Sequence, residues 1–440
     1  MKKNKSKIEK LITIVLVFVM IAAGMPCLLI SCDFGSDYSD DDLSQNGLPN
    51  DDSAQIDEPE QNDSNDDVYL TPSGELLDAF YFVDNMRVGW NLGNTFDSID
   101  NRGRGIRGSL EEGITPEEHY ETYWGNPVTT REMINAVVDA GFGAIRIPVT
   151  YTDHMDENFQ IRTDWLLRVE QVVNYVMDAG AYCIINIHHD TGSGSWPWLK
   201  ADPDNIEELS GQLNTVWTQI AEHFKDYSDE LLFEGFNEIL DVESRWNNSD
   251  NAAFMAVNQL NQVFVDTVRA TGGNNSNRVL IVKTYAAGTD QDILDAFILP
   301  SDSVEYRLIV SVHTYVPHAF TWTEEKVSWT QTHSDWSQTR DAAPVEDIMD
   351  RLHATFVQNR IPVMIGEFGA MNKNNTADRV NYAVHFVETA KSIGITCFWW
   401  DDGGSFADAD SVDSYALLDR YTMKWFFPEI AKALVEAGRR

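Results

Sequence analysis

The sequence predicts a (β/α)8 barrel, and three observations lead there. From about residue 75, short apolar runs alternate with stretches of helical periodicity, which is the pattern of βα units. Eight such runs can be counted, enough to close a barrel of parallel strands. Polar residues recur where those runs end, and strand ends are where such a barrel collects its reactive groups.

The predicted strands are Val88–Leu92, Ala144–Val149, Tyr182–His188 and Leu231–Asn237, followed by Val279–Thr284, Leu308–Tyr315, Pro362–Phe368 and Thr396–Trp400. Between the first and second, Thr129 or Thr130 can cap a helix that runs through Met133, Ile134, Val137 and Val138 and stops at Gly141. Between the second and third, Asp164 to Gly180 places Leu166, Val169, Val173 and Val176 on one helical face. An open doubly wound sheet is the competing architecture. It would be expected to carry G-x-G-x-x-G or G-x-x-x-x-G-K-[ST] after its first strand; neither is present, so no nucleotide or other cofactor is expected. Residues 317–345, rich in Trp, Thr, Ser and His, read as a long loop after the sixth strand, of the kind that shapes a cleft. Trp196, Trp198, Trp322, Trp329 and Trp336 fall in loops, either as stacking platforms or as packing within those loops.

A chain of 440 residues with 43% hydrophobic content has room for one barrel plus appendages. A net charge of −38 argues against a nucleic-acid partner, whose phosphates it would repel, and says nothing against an uncharged polymer. Residues 1–31 read as an export signal: Lys2, Lys3, Lys5, Lys7 and Lys10 precede the apolar run Leu11 to Ala23. That segment ends Leu29-Ile30-Ser31-Cys32, which resembles a bacterial lipobox with Cys32 as the lipidated residue; an ordinary secretion signal is the alternative. Residues 32–70 read as a disordered acidic tether, since 33–67 hold thirteen Asp or Glu and no Lys or Arg. The folded domain expected to form the barrel is then 71–440. The reading places the protein in the cell envelope or on the surface of a bacterium, as a monomer held to the membrane through Cys32. Cys183 and Cys397 lie in the third and eighth strands and are expected as separate buried thiols.

Glu238 and Glu367 carry the strongest chemical signal. Each closes a strand-forming run, in Phe233-Glu234-Gly235-Phe236-Asn237-Glu238 and Val363-Met364-Ile365-Gly366-Glu367. A carboxylate at a strand end is costly unless it stays wet or has a task, and two that converge are the machinery of glycoside hydrolysis. Around them the strand ends supply Asn91, Arg146, His188 with His189, Asn237, Tyr285, His313 with Tyr315, and Trp400 with Asp401. A metal-dependent hydrolase would need His-x-His or another clustered ligand set; strand one ends Asn91-Leu92-Gly93-Asn94, so no metal is expected. A non-catalytic glycan-binding lipoprotein would be expected to have lost one glutamate, and both are present.

Over roughly residues 75–435 the chain resembles glycoside hydrolase family 5. The resemblance rests on Gly89-Trp90-Asn91-Leu92-Gly93-Asn94-Thr95, Ile145-Arg146-Ile147-Pro148-Val149, Asn186-Ile187-His188-His189-Asp190, Asn237-Glu238, His313-Thr314-Tyr315, Glu367-Phe368-Gly369 and Trp399-Trp400-Asp401. The first, third and last together resemble the subfamily 4 endo-β-1,4-glucanases. One departure is Asp401-Asp402-Gly403, where that subfamily has Asp-Asn-Gly. The resemblance implies a retaining endoglucanase acting on cellulose or related β-glucans, with xyloglucan, mixed-linkage glucan or mannan as alternatives on the same scaffold. It further implies Glu238 as acid/base and Glu367 as nucleophile, Arg146 keeping Glu367 ionised, and Tyr315 and His313 orienting the two glutamates. Asn91, Arg146, His188, His189, Asn237, His313, Tyr315 and Trp400 are the expected substrate-binding set, with Trp400 as a floor for the sugar, His188 at its 3-hydroxyl and Asn237 at its 2-hydroxyl.

Overall fold

The computed structural model describes residues 76–100, 115–194, 196–247, 250–323, 329–403 and 414–439. These belong to the compact unit Ser64–Arg440. The expected signal, Cys32 and the acidic tether lie outside the described residues. Among the described residues no helix is long and apolar enough to cross a membrane.

Eight parallel strands close the barrel in chain order, each beside the next and the last beside the first. They are β1 (Val88–Leu92), β2 (Ala144–Ile147), β3 (Tyr182–Asn186), β4 (Leu231–Glu234), β5 (Leu280–Lys283), β6 (Leu308–His313), β7 (Val363–Phe368) and β8 (Thr396–Asp401). The sequence reading found all eight and ran most of them one to three residues too far. Val149, His188, Asn237 and Tyr315 close the runs read as strands but have left the ladder.

Helices surround the sheet. α1 (Ala79–Met86) precedes β1; α2 (Pro116–Glu121) and α3 (Arg131–Ala140) precede β2, and α4 (Thr163–Asp178) precedes β3. Thr130 caps α3 by accepting from the Met133 amide, and Gly141 ends it at φ 109°, where a side chain would be strained. The predicted face of α4 is buried, joined by Trp165 and Val172. α5 (Ile206–His223), α6 (Asn251–Ala270) and α7 (Gln291–Ala296) follow in order. The excursion after β6 is shorter than its composition suggests. It contains α8 (His318–Thr321), and α9 (Gln338–Thr355) already begins at Gln338. There the Asp341 carboxylate accepts from the Ser337 amide and fastens the helix start. α10 (Thr376–Ser392) and α11 (Pro428–Gly438) complete the ring.

The barrel interior is layered because side chains two apart share a strand face. Its lower layer is apolar: Ala144, Ile184, Leu232, Ile281, Ile309, Met364 and Phe398 pack together, closed from below by Phe82 and Met86 of α1. Gly89 supplies the eighth position, and Phe398 fills its place, 2.1 Å from where a Cβ would stand. Two residues further along each strand lie Asn91, Arg146, Asn186, Glu234, Lys283, Ser311, Gly366 and Trp400. The outward-facing residues, among them the free thiols Cys183 and Cys397, join a separate core between sheet and helices. Burial pushes both thiols up in pKa, so neither is poised to react or to bind metal.

Candidate active site

Arg146 organises the upper layer. Fully buried, it donates from Nε to Glu234 Oε2 (2.7 Å), from Nη1 to Asn91 Oδ1 (3.0 Å) and Glu367 Oε1 (2.9 Å), and from Nη2 to Asn237 Oδ1 (2.9 Å). Glu234 also accepts from Asn186 Nδ2 at 2.9 Å and stands 2.7 Å from Lys283 Nζ. Burial alone would raise the Glu234 pKa, but Arg146 and Lys283 more than offset it, so this carboxyl is held below its ordinary range. Two expectations are corrected here. Asn91 and Arg146 cannot touch substrate, because both are 0% exposed and their polar atoms are engaged inside the barrel; Asn91 Nδ2 donates to the Gly366 and Trp399 carbonyls.

Glu367 and Glu238 rise from this base. Glu367 Oε1 takes the Arg146 bond and Oε2 accepts from the Tyr315 hydroxyl at 3.0 Å. The β6–β7 register shifts at His313, which pairs with Glu367. Gly366 is required beside it, since a Cβ there would stand 2.7 Å from Ser311 Oγ and 3.1 Å from His313 Nε2. Glu238 Oε1 lies 2.8 Å from His313 Nδ1, and a carboxylate oxygen of each glutamate falls within 4.8 Å of the other. Burial, and then the charge of Glu367, push Glu238 up to about 8. Burial raises Glu367 as well, but Arg146, Lys283 and the Tyr315 hydrogen bond oppose the rise. The pair therefore holds one proton near neutrality, on Glu238.

His188 is 2% exposed and its Nδ1 faces the Asn186 amide nitrogen at 3.2 Å. Asn186 cannot be turned round, because its Oδ1 accepts from the Val149 amide while Nδ2 donates to Glu234. The bare nitrogen of His188 is thus Nδ1, and Nε2 carries the hydrogen. Asp97, His188 and His189 approach one another within 4.8 Å, but a protonated Nε2 is no ligand. In the second such group, Glu238, His313 and Glu367, the nitrogen facing the carboxylates is His313 Nδ1, already engaged with Glu238 Oε1 at 2.8 Å, and Glu367 Oε2 accepts from Tyr315.

Trp400 lies parallel to His188, with ring centroids 5.9 Å apart at 6°. It is partly exposed. His189 is partly exposed and faces Trp124 at 5.3 Å. Asn237 is 4% exposed with its Oδ1 held by Arg146. Two other strand-end residues have structural tasks. Tyr285 donates to the Arg245 carbonyl (2.6 Å) and accepts from the Asp241 amide (3.1 Å), which fixes the loop after β4. Asp401 accepts from Trp90 Nε1, Arg420 and the Leu417 amide, and so holds the base of Trp400 in place. Of the loop tryptophans, Trp196 and Trp329 are exposed, Trp198 packs on Phe159 and donates to Asp190, and Trp336 packs on Phe320 and Tyr382. Trp322 stands 6.4 Å from Tyr315.

Glu234, Lys283, Asn186 and Ser311 were given no role by the sequence reading. The available signal was alternation: in Leu280-Ile281-Val282-Lys283 and Leu231-Leu232-Phe233-Glu234 the polar residue falls on the face of Ile281 and Leu232, which point into the barrel.

Residues 109–405 match the family described as Cellulase (glycosyl hydrolase family 5). The chain is 39% identical over 367 residues to Cellulase/esterase CelE of Acetivibrio thermocellus, a match that covers 82% of this chain and only 41% of that protein. It is 37% identical to Endoglucanase A of Ruminococcus albus, covering 84% of this chain and 96% of the relative. A solved GH5-4 broad specificity endoglucanase from Ruminococcus champanellensis with bound cellotriose superposes with a TM-score of 0.73 at 37% identity, covering 82% of this chain and 98% of that one.

The raised pKa of Glu238 has a consequence for stability. Between its ordinary value of 4.5 and about 8, the folded protein holds a proton there that the unfolded chain has released. Stability must fall as pH rises through that window. Urea denaturation of the wild type and Glu238→Gln across pH 5–9 should show the wild type losing stability relative to the variant as pH rises; a constant difference would contradict the raised pKa.

Proposed function

The chain belongs to glycoside hydrolase family 5, and we propose that it is a retaining endo-β-1,4-glucanase that cleaves internal bonds of cellulose or a related β-glucan. One observation carries this reading: two carboxyl groups meet within 4.8 Å, one paired with Arg146 and the other with His313. Inverting enzymes hold their two carboxyl groups roughly 6.5–9.5 Å apart to admit a water beside the sugar, whereas groups about 5–5.5 Å apart act by double displacement.

Glu238, protonated at neutral pH, donates its proton to the glycosidic oxygen as the bond to the anomeric carbon breaks. Glu367 attacks that carbon and forms a glycosyl ester, its lone pair aimed by Arg146 and Tyr315. Esterification removes the charge of Glu367, so Glu238 becomes more acidic and takes a proton from the incoming water. Asn237, with Oδ1 fixed on Arg146, offers its amide hydrogens to the 2-hydroxyl, a contact that strengthens in the oxocarbenium-like transition state. His188 offers Nε2–H to the 3-hydroxyl, and Trp400 is the apolar floor of the reactive subsite. His189 serves the neighbouring sugar. The choice among cellulose, mixed-linkage glucan, xyloglucan and mannan is made by loop shape, and activity on those four polymers separates them.

The division of labour has a direct test. Glu238→Ala should lose most activity on polysaccharide, lose little in the first step on dinitrophenyl glycosides, and regain turnover with azide, giving a β-glycosyl azide. If azide restores nothing while Glu367→Ala is rescued instead, the two roles are reversed.

The protein acts outside the cytoplasm as a monomer, exported through residues 1–31 and anchored by acylation of Cys32, with residues 32–70 as tether. Membrane fractions should contain the full-length protein, and Cys32→Ser should release it or stall its processing; a wild type wholly soluble in the medium would contradict the anchor.

A further inference from the structure

Lys283 is fully buried, so it cannot reach a sugar, yet only the His313 ring separates it from the acid/base glutamate. Its Nζ lies 2.7 Å from His313 Nε2, 2.7 Å from Glu234 Oε1 and 3.0 Å from Ser311 Oγ. We propose that Lys283 is a positioning residue that locks His313 in the Nδ1–H tautomer, and so confines the transferable proton of Glu238 to Oε2. The inference rests on the glycosidase reading for its catalytic meaning, but its structural content stands alone.

Three acceptors surround one ammonium, which has three N–H groups and no lone pair. His313 Nε2 must therefore be the bare nitrogen, and Nδ1 carries the hydrogen. At 2.8 Å from Glu238, Nδ1–H donates to Oε1. An oxygen engaged as acceptor there leaves the acid proton on Oε2. In glycosylation that proton passes from Oε2 to the glycosidic oxygen, which also receives the electron pair of the breaking bond to the anomeric carbon; His313 keeps its own hydrogen throughout. With the opposite tautomer, the bare Nδ1 would draw the Glu238 proton onto Oε1 and hold it away from the substrate.

Lys283 also balances charge. The groups that face it are Glu234 and Glu238 from β4 and its following loop, His313 from β6, Glu367 from β7, Arg146 from β2 and His188 from β3. Both histidines are kept neutral, first by burial; His188 is then opposed by His189, Arg146 and Lys283, and His313 by Lys283, Arg146 and His188. Arg146 and Lys283 then offset Glu234 and Glu367, and Glu238 remains protonated. Removing the lysine charge withdraws a force that lowers the pKa of both Glu238 and Glu367.

Two measurements on the full chain test this. Two-bond 1H–15N correlation spectra of 15N-histidine protein should show His313, recognised by the signals lost in His313→Gln, with its hydrogen on Nδ1. In Lys283→Met the His313 pattern should move toward Nε2–H, and both limbs of the kcat/KM pH profile should shift upward by about one unit, the scale of a nearby charge. A wild-type His313 protonated at Nε2 would overturn the proposal by itself, even if Lys283→Met failed to fold. A folded Lys283→Met with unchanged tautomer and unshifted limbs would reduce Lys283 to a structural role. Absence of glucan hydrolysis by the wild type would instead fail the glycosidase reading, because the tautomer is read without substrate.

Discussion

Arg146 and Glu234 meet at 2.7 Å with both side chains wholly out of water, and the mouth of the barrel is built outward from that pair. A buried ion pair has a desolvation cost that its mutual attraction repays only when the remaining hydrogen-bonding capacity is filled. Here it is filled by Asn91, Asn237 and Glu367 around the guanidinium, and by Asn186 and Lys283 around the carboxylate. Each of those partners is a strand-end residue from a different part of the barrel. Removing either member would leave an uncompensated buried charge, a loss of about 3–5 kcal/mol in comparable cases.

The pair can exist because the layer beneath it is apolar and closed. Phe398 and the branched side chains of β3 to β6 fill the lower barrel, with α1 as a plug. Charges one layer above are therefore shielded on that side and interact strongly with one another. Those charges set the protonation of the glutamates. Glu367 has a guanidinium and a phenol against it and Glu238 has a neutral imidazole, so the single proton of the pair resides on Glu238. Stability and reactivity thus share one set of residues.

Much of this was legible in the sequence. Parallel strands buried on both faces appear as apolar runs, which is why all eight were found, and their ends marked the site. Glu238, Glu367, His313, Tyr315, His188, Asn237 and Trp400 do converge at one mouth of the barrel. Chain order alone does not tell which strand-end residues face the cleft. Asn91 and Arg146 stand two residues above Gly89 and Ala144, inside the barrel, and so support the site instead of contacting sugar. Tyr285 follows the last ladder residue of β5 by two positions, and its ring turns toward Phe254 and the loop after β4. Lys283 and Glu234 each look, in the sequence, like a polar residue ending an apolar run. Only strand alternation and closure of the barrel bring them together.

Whether this charge arrangement makes Glu367 a nucleophile and Glu238 its acid/base partner is tested most directly by the anomeric outcome of hydrolysis. Proton NMR of the first sugar released from a cello-oligosaccharide, recorded before mutarotation, should show the β-anomer, as two successive displacements require. Initial release of the α-anomer would mean single displacement by water and would contradict the account.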